Sequence, residues 1–184
     1  MTALRKEQMT AEEFLAWAPT QPERYELFDG SPVAMSPERV IHGRTKYRVA
    51  RTLDDATDRA GLKCEVVFDS AAVRIDAKNS YQPDVMVYCG ERVPGDTIVI
   101  GNPVIVVEVL SPGNAMKDLR DKLVGYFRVP SIVHYLIVDP DKRLVIHHAR
   151  SEGEVVSTRI VKEAAIPLDP PGLSLETLTL FDDA

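Results

Sequence analysis

Short runs of apolar and β-branched residues divide this chain into strands separated by polar or glycine-containing turns. Runs of this length and composition are typical of β-strands. The longest run, residues 103–112, is apolar at almost every position, which predicts a strand buried on both faces. Residues 97–100 form a shorter extended segment before it. The other predicted strands are residues 25–28, 33–35, 64–68, 71–75, 84–88, 134–138, 143–147 and 154–161.

Three segments carry helical signals instead. Residues 10–13 (Thr-Ala-Glu-Glu) have the spacing of a capping box and predict a short N-terminal helix, which two following prolines end. Residues 38–60 contain no proline and a single glycine, and their apolar residues keep a roughly helical period, so they predict a long helix. Residues 114–128 predict a third helix with Asn114 as its N-cap.

The order of these elements predicts a mixed fold. Strands occupy the middle of the chain, with helices before and after them, which is typical of an α/β (α+β) protein with a central mixed sheet flanked by helices. A hairpin around Asp29-Gly30 follows the N-terminal helix. With 184 residues, 45% of them hydrophobic, the chain is long enough for one domain and one core. We expect the core at about 24–150, and a C-terminal strand with an irregular, proline-rich tail at 151–184.

The charge balance excludes a uniformly basic nucleic-acid-binding domain. Lysine and arginine total 22 and the acidic residues 28, which gives a net charge of −6. Any phosphate-binding surface must therefore be local, or a bound divalent cation must supply the positive charge. Arg44, Arg48 and Arg51 form a stripe on the long helix and are candidates for DNA contact. Such stripes are more often solvated helix faces, and the sequence leaves both explanations open.

The cysteines and the N-terminus indicate the compartment. Cys64 and Cys89 lie far apart, without CxxC spacing or a nearby histidine, so neither a zinc site nor a disulfide is expected. Reduced cysteines and the lack of an apolar signal-peptide segment predict a cytoplasmic protein. No uncharged apolar segment reaches membrane-spanning length, so no membrane partner is expected, and no motif indicates an organic cofactor.

Three acidic residues stand within or beside otherwise apolar strands: Glu26, Asp84 and Glu108. Glu108 is the most unusual, because an ionised carboxylate buried without a partner costs several kcal/mol. It must face a polar cleft, pair with a cation or bind a metal ion. If the strand at Asp84 pairs beside the strand at Glu108, both carboxylates meet at one sheet end and offer the oxygen ligands that Mg²⁺ prefers.

Each of these acids also has a plain structural explanation. Asp84 follows a proline, where aspartate commonly caps a turn. Glu26 is placed for a cross-strand ion pair with Arg24. The structural explanation for Glu108, a buried pair with an arginine, is the weakest of the three, because its flanks are so apolar. The residues alone do not decide between these explanations and a shared site.

Five motifs occur in a characteristic order, and a histidine, His42, stands between the first and the second. They resemble the Uma-two family of restriction endonucleases, a branch of the PD-(D/E)XK nuclease superfamily, from about Tyr25 to about Pro140. The order and spacing of the motifs carry the resemblance, and the family usually has a histidine near position 42. The motifs are residues 25–30 (Tyr-Glu-Leu-Phe-Asp-Gly), 82–84 (Gln-Pro-Asp), 107–112 (Val-Glu-Val-Leu-Ser-Pro), 118–122 (Asp-Leu-Arg-Asp-Lys) with Tyr126, and 135–140 (Tyr-Leu-Ile-Val-Asp-Pro).

The resemblance implies a metal-dependent endonuclease that acts on DNA. Asp84 and Glu108 would hold Mg²⁺ (or Mn²⁺), and Glu26 would assist from the hairpin. Cutting both strands symmetrically needs two active sites, which implies a homodimer. The superfamily's E-x-K motif has a lysine two residues after the glutamate, but this chain has Leu110 there. This departure supports a second hypothesis, a catalytically inactive nuclease-like fold that binds nucleic acid or a protein partner.

Lys122 on the third helix is the nearest replacement for the missing lysine. An ammonium returned to the strand end would stabilise developing phosphorane charge, which completes a catalytic set of Asp84, Glu108, Lys122 and Glu26. Lys122 is equally well placed for a helix-surface ion pair at i, i+4. The accessory candidates have plain alternatives too, as a packed aromatic or a partly exposed helix histidine. These accessory candidates are His42, Asp118 and Tyr126.

Overall fold

The structure of the protein, a computed structural model, describes residues 8–111, 116–153 and 155–181, without the side chains of residues 116–118. Two short 3₁₀ turns, Ala18–Thr20 and Thr177–Leu180, accompany the helices and strands in these ranges. In chain order the helices and strands are α1 (Ala11–Trp17), β1 (Tyr25–Phe28), β2 (Ser31–Ala34), α2 (Val40–Ala60), β3 (Cys64–Phe68), β4 (Val73–Arg74), β5 (Ser80–Tyr81), β6 (Val85–Cys89), β7 (Pro103–Val109), α3 (Met116–Tyr126), β8 (His134–Asp139), β9 (Leu144–Arg150), β10 (Val156–Val161), β11 (Ala165–Leu168) and β12 (Leu173–Glu176).

Six of the described strands form the main sheet, in the order β10-β9-β8-β7-β6-β3. β7 lies inside this sheet and is buried at every position but one, as expected for the longest apolar run. β7 and β8 are parallel, whereas the other neighbours are antiparallel. A parallel pair needs a crossover connection, and α3 lies between these two strands in the chain. The predicted mixed sheet with flanking helices is therefore confirmed.

Four further strands form a second sheet, in the order β2-β1-β5-β4, within the described ranges. Its β1–β2 hairpin turns at Asp29 and Gly30, whose φ angles of 47° and 75° are both positive. Two such residues make a tight turn whose twist matches the flanking strands. β4 has only two residues, so the strand predicted at 71–75 is shorter than expected. Residues 97–100 contribute an isolated bridge from Val99 rather than a strand.

The helix boundaries follow local sequence signals. The Thr10 hydroxyl accepts a hydrogen bond of 3.2 Å from the Glu13 N–H, and the Glu13 carboxylate accepts one of 2.8 Å from the Thr10 N–H. The predicted capping box of α1 is thus confirmed. Gly61 ends α2 in the left-handed conformation, with φ 63°, as glycine commonly does after a helix. None of the helices in the described ranges combines the length and apolar character of a membrane span.

The main sheet carries an apolar layer on each face. One layer contains Leu53 of α2 and Val107 of β7. The other contains Tyr126 of α3 and Val106 of β7. Successive strand residues point to opposite faces, so Glu108 shares the face of Val106 and points toward α3. The strand alternation thus places the Glu108 carboxylate between the sheet and the third helix.

The C-terminal tail is ordered, which corrects the expectation of irregular structure. β11 and β12 form an antiparallel hairpin in which Leu168 pairs with Leu173. Ile166 and Leu175, together with these two leucines, are buried in the layer that contains α2. Apolar residues two positions apart are a strand signal. The neighbouring prolines concealed this signal because two of them occupy the hairpin turn.

Cys64 and Cys89 form a disulfide, so the expectation of two reduced cysteines is wrong. β3 and β6 are antiparallel neighbours, and their register places the two cysteines directly opposite each other. Their Cα atoms are 3.9 Å apart. The pairing depends on which strands become neighbours in the sheet, and cysteine spacing along the chain carries no information about that.

Candidate active site

Glu108 on β7 is only 3% exposed, and two side chains of α3 provide partners for it. Lys122 Nζ lies 3.0 Å from Glu108 Oε1. The Tyr126 hydroxyl donates a hydrogen bond of 2.6 Å to the same oxygen. Residues four positions apart lie on one side of a helix, which is why both groups reach the carboxylate. Contacts with Lys122 and Tyr126 beside a polar cleft therefore account for this acidic residue in the apolar strand.

Lys122 also connects Glu108 to the second sheet. Lys122 Nζ lies 3.0 Å from Glu26 Oε1 on β1. The same Glu26 oxygen accepts a hydrogen bond of 2.8 Å from the backbone N–H of Gln82. Lys122 is buried, so it does not belong to an exposed helix surface. The set Glu26, Glu108, Lys122 and Tyr126 forms the Glu108 cluster.

Asp84 stands directly before β6, at the sheet end where β7 finishes. The backbone N–H of Val109 donates a hydrogen bond of 2.6 Å to Asp84 Oδ2, because β6 and β7 are antiparallel neighbours. Asp84 Oδ1 lies 2.8 Å from Lys46 Nζ. The sheet therefore brings Asp84 and Glu108 to the same end of adjacent strands. Their catalytic and metal-binding roles stay predictions.

Lys46 of α2 is a buried partner that was not among the site residues expected from the sequence. Its Nζ lies 2.6 Å from Glu38 Oε1, 2.8 Å from Asp84 Oδ1 and 3.1 Å from Asp69 Oδ1. Lys46 is 3% exposed. The available signal was its position, since Lys46, Val49 and Leu53 share one side of the helix and mark the buried stripe. Neither Glu38 nor Asp69 was predicted to belong to the site.

His42 lies one helical turn before Lys46 and is buried, so the expectation of a partly exposed histidine is wrong. Both ring nitrogens are shielded from solvent and lack a hydrogen-bond partner among the described residues. His42 Nε2 is 3.4 Å from Asp84 Oδ2 and 3.6 Å from Glu38 Oε2. A buried polar group without a partner is unusual and points to an unfilled role such as ligation. The set Glu38, His42, Lys46 and Asp84 forms the Asp84 cluster.

The two strand-end carboxylates have opposite pKa shifts. Burial raises the pKa of Glu108 to about 8, and the charges of Asp84 and Glu26 add to this effect while Lys122 opposes it. Burial also disfavours ionised Asp84, but contacts with His42, Lys46 and the Val109 N–H outweigh it and lower the Asp84 pKa. Asp84 is therefore ionised at neutral pH, whereas Glu108 is largely protonated. Neighbouring acids with separated pKa values are typical of catalytic sites.

Lys46 stays charged despite its burial. Burial favours the neutral amine, but the carboxylates of Asp84 and Glu38 outweigh it and raise the Lys46 pKa to about 12. Arg24 neutralises the third partner, since its Nη1 lies 2.7 Å from Asp69 Oδ1. The alternative of an ion pair between Arg24 and Glu26 is therefore wrong.

Close packing at Gly125 positions α3 and its two site residues. A Cβ atom at Gly125 would lie 2.5 Å from Cε2 of Tyr81, so this position accepts only glycine without a displacement. The Tyr81 ring stacks on Phe28 with 4.7 Å between centroids and meets the Tyr126 ring edge-on at 5.6 Å. This aromatic group joins the β1–β2 hairpin to the helix that carries Lys122.

Both clusters border one cleft of about 860 Å³, between the β1–β2 hairpin, the N-terminal part of α2 and α3. Its inner wall contains Asp84 and Glu108, with His42 beside them. Its outer wall is partly apolar, with Val33 43% and Val124 53% exposed. A volume of this size is in the range of known ligand sites. The cleft is open to solvent, and its lining contains both acidic and basic side chains.

The arginine candidates lie away from the cleft, and Asp118 cannot be placed relative to it. Arg44, Arg48 and Arg51 of α2 line a separate groove beside the C-terminal segment. Arg48 Nη1 donates a hydrogen bond of 3.3 Å to the backbone oxygen of Phe181 there. DNA contact by these arginines stays a prediction. The side chain of Asp118 lies outside the described residues.

The other three histidines do not contribute to the cleft. The ring nitrogens His134 Nδ1 and His147 Nε2 lie 3.0 Å apart. His134 Nε2 lies 3.1 Å from the backbone oxygen of Pro170, between β11 and β12. His148 Nδ1 lies 2.8 Å from the Thr158 hydroxyl. These contacts indicate a structural role for all three histidines.

Comparison with known proteins supplies independent information on the family and the fold. The model of a family described as "Uma2: Putative restriction endonuclease" matches residues 11–180. Two uncharacterized proteins of Synechocystis sp. are similar in sequence. The first, slr1290, is 29% identical over 175 residues, covering 94% of this chain and 91% of the relative. The second, sll1609, is 27% identical over 146 residues, covering 77% and 81% respectively.

A crystal structure from Anabaena variabilis has a similar fold. It is described as that of "a putative nuclease belonging to DUF820". The TM-score is 0.73, and the match covers 94% of this chain and 97% of the Anabaena chain. Sequence identity is 17%, so the similarity establishes the fold.

Proposed function

The chain belongs to the Uma2 family of restriction-endonuclease-like proteins, and on this premise we propose that it is a metal-dependent endonuclease that hydrolyses DNA phosphodiester bonds. The observation that carries the proposal is the meeting at one cleft of two acid–lysine clusters, each built around a buried lysine. Among the described residues, five carboxyl groups there contact only three cationic side chains, and the acids outnumber the cations even without Glu108, which is largely protonated at neutral pH. Such a charge excess favours binding of a divalent cation. The carboxylates are those of Glu26, Glu38, Asp69, Asp84 and Glu108, and the cations are Arg24, Lys46 and Lys122.

The donors of the Asp84 cluster fit such a cation. Glu38, His42 and Asp84 each offer one ligand atom, and these three atoms lie within 4.8 Å of one another. Ligation would also satisfy a ring nitrogen of His42 that has no hydrogen-bond partner in the described structure. Mg²⁺ prefers oxygen ligands, whereas an imidazole is a better ligand for transition metals. We therefore propose Mn²⁺ ahead of Mg²⁺, held by Asp84, His42 and Glu38, with Glu108 beside it.

Three residues of the chain would have separate roles in the reaction: metal ligation, proton transfer and charge stabilisation. A bound divalent cation activates water and neutralises charge on the scissile phosphate. Asp84 is suited to ligation because its lowered pKa keeps it ionised. Glu108, with a pKa of about 8, exchanges its proton near neutral pH, as a general acid or base requires. Lys122 places a positive charge next to Glu108, where it would stabilise the transition state.

Lys122, on a helix rather than on the strand, would thus take the role of the E-x-K lysine. The superfamily position two residues after Glu108 is Leu110. Lys122 reaches the same carboxylate from α3 at 3.0 Å, so the ammonium–carboxylate pair is available although the motif is not. The competing hypothesis, a non-cutting fold that binds nucleic acid or protein, rests on this absent motif lysine. Measured turnover decides between the two.

The test is cleavage of single-stranded, double-stranded and branched DNA with Mn²⁺ or Mg²⁺. We expect cleavage by the wild type and at least a 100-fold loss in both Lys122→Met and Glu108→Gln, because catalytic proton transfer and charge stabilisation each contribute about 10²-fold or more. Lys142→Ala is the matched control, since the Lys142 side chain is 76% exposed. Its activity should equal that of the wild type.

Two outcomes would overturn the proposal. Undiminished cleavage by both site variants would remove the assigned residues from the reaction. No cleavage of any substrate with either metal would favour the non-cutting fold. Circular dichroism of each variant distinguishes lost chemistry from lost structure. Sedimentation of the wild type with and without duplex DNA tests the proposed homodimer, which symmetric double-strand cutting requires.

A further inference from the structure

Two carboxylates of the Asp84 cluster each face in two directions. Glu38 and Asp84 both direct one oxygen to Lys46 and the other to His42. On the lysine side, Glu38 Oε1 and Asp84 Oδ1 lie 2.6 Å and 2.8 Å from Lys46 Nζ. On the histidine side, Glu38 Oε2 and Asp84 Oδ2 lie 3.6 Å and 3.4 Å from His42 Nε2. The two carboxylates therefore bridge a lysine and a histidine.

The lysine side is a cation site that an ammonium group fills. Among the described residues a third carboxylate completes it, since Asp69 Oδ1 lies 3.1 Å from Lys46 Nζ. An ammonium group has three N–H donors, and the three carboxylates supply one oxygen for each. Lys46 is only 3% exposed, and opposite charges at these distances favour its charged form. This side of the cluster therefore contains a fixed positive charge.

The histidine side has a different character. His42 is 4% exposed, and both of its ring nitrogens lack a hydrogen-bond partner within the described ranges. Glu38, His42 and Asp84 offer three ligand atoms within 4.8 Å of one another, and these are the residues proposed above to hold Mn²⁺. The bridging carboxylates thus connect a candidate metal position to a position that already carries a cationic side chain.

We propose that the Lys46 ammonium group takes the place of a second metal ion, so that each chain binds a single divalent cation. This inference rests on the proposed function, because it concerns the metal site of the same cleft. Two-metal enzymes use their ions as a clamp on the attacking and leaving oxygens of a displacement. An ammonium group supplies positive charge but cannot coordinate a water molecule and lower its pKa. The two positions are therefore not equivalent, and the clamp of a two-metal site is not available.

Counting bound Mn²⁺ tests this inference without any substrate. The electron paramagnetic resonance signal of free Mn²⁺, followed while the protein is titrated, gives the number of ions bound per chain. We expect one ion in the wild type and two in Lys46→Met, because methionine has a similar length but no charge and leaves the carboxylates to a second ion. The spectrum of the loaded variant should show magnetic coupling between the ions, which distinguishes a bridged pair from a remote site. Adding Asp69→Asn to Lys46→Met should return the count to one.

The matched control is Lys142→Met, which removes an exposed lysine that pairs with Asp139. It should bind one ion, like the wild type. Two ions in the wild type, or one ion in Lys46→Met, would overturn the inference. Circular dichroism follows folding, and Lys46→Met should be less stable than the wild type without metal and regain stability with Mn²⁺. A variant that stays unfolded with Mn²⁺ would also overturn the inference, because the ion then does not replace the ammonium group.

The outcomes for this inference and for the proposed function are separate. One ion in the wild type and two in Lys46→Met, without cleavage of any DNA, would uphold the single-ion site while refuting the nuclease activity. DNA cleavage by a wild type that binds two ions per chain would do the opposite. A wild type that binds no Mn²⁺ would overturn this inference, whatever its activity.

Discussion

Replacement of Glu108 by glutamine is expected to stabilise the metal-free protein at neutral and alkaline pH. Burial raises the pKa of the Glu108 carboxyl from 4.5 to about 8, with Asp84 and Glu26 contributing in the same direction against the effect of Lys122. The folded protein therefore favours the neutral acid. Glutamine has nearly the same shape as the protonated side chain and carries no charge at any pH. It should fit the site while removing the cost of ionisation.

The magnitude follows from the two pKa values. Below pH 4.5 the carboxyl is protonated in the folded and unfolded states, so its ionisation has no effect on stability. As the pH rises toward 8, the unfolded chain loses this proton while the folded protein retains it, and the wild type loses stability. At about 1.36 kcal/mol per pH unit, the loss reaches ~3–5 kcal/mol above the folded pKa. The variant does not incur this loss.

Urea denaturation in EDTA at about pH 5, 7 and 9, followed by circular dichroism, measures the difference. The free energy of unfolding of Glu108→Gln should exceed that of the wild type by an amount that grows with pH. Glu91→Gln, at an exposed position, is the control and should show no such trend. A difference that stays constant from pH 5 to pH 9, or a variant less stable than the wild type at pH 9, would refute the reasoning.

Three further predictions concern other parts of the molecule. His42→Phe should abolish stabilisation by Mn²⁺, which at 100 times the dissociation constant is about 2.7 kcal/mol, or a Tm increase of about 5–10 °C, in the wild type. Gly125→Ala should destabilise by about 1–3 kcal/mol and reduce cleavage, because its Cβ would displace Tyr81 and the helix carrying Lys122. Burial lowers the His147 pKa from 6.5 to about 4, so stability should fall by ~2–3 kcal/mol as pH drops between those values, and His147→Gln should flatten this dependence.

Each of these predictions has its own contradicting result. An unchanged Mn²⁺-induced Tm shift in His42→Phe, measured by differential scanning fluorimetry, would exclude His42 as a ligand. Gly125→Ala with wild-type stability and activity would show that Tyr81 moves aside freely. Gly43→Ala is the matched control, because a Cβ built there has no neighbour within 4 Å among the described residues apart from the adjoining residues and the backbone of its own helix. Parallel acid-denaturation curves for the wild type and His147→Gln would refute the assigned cause of acid sensitivity.

Local signals were sufficient for most individual elements. The capping box of α1, the Asp29-Gly30 turn and the apolar run of β7 each involve residues close together in the chain, and their conformations depend on steric and hydrogen-bonding rules that act at that range. The same run exposed Glu108 as an anomaly, since a charge between valines is visible without coordinates. The tail shows the limit of such signals, because its prolines suggested irregular structure where β11 and β12 form a hairpin.

Which residues meet at the site is decided by the tertiary structure. Lys122 lies on α3, the helix that connects β7 to β8. Only the packing of α3 on the sheet brings Lys122 Nζ to 3.0 Å from Glu108 Oε1. The burial of Lys46 among three carboxylates likewise depends on which face of α2 covers the strand ends. Cys64 and Cys89 are opposite each other because β3 pairs with β6. Local sequence thus identified Glu108 as a charge that needs a partner, and the packing of distant elements selected Lys122 and Tyr126 as its partners.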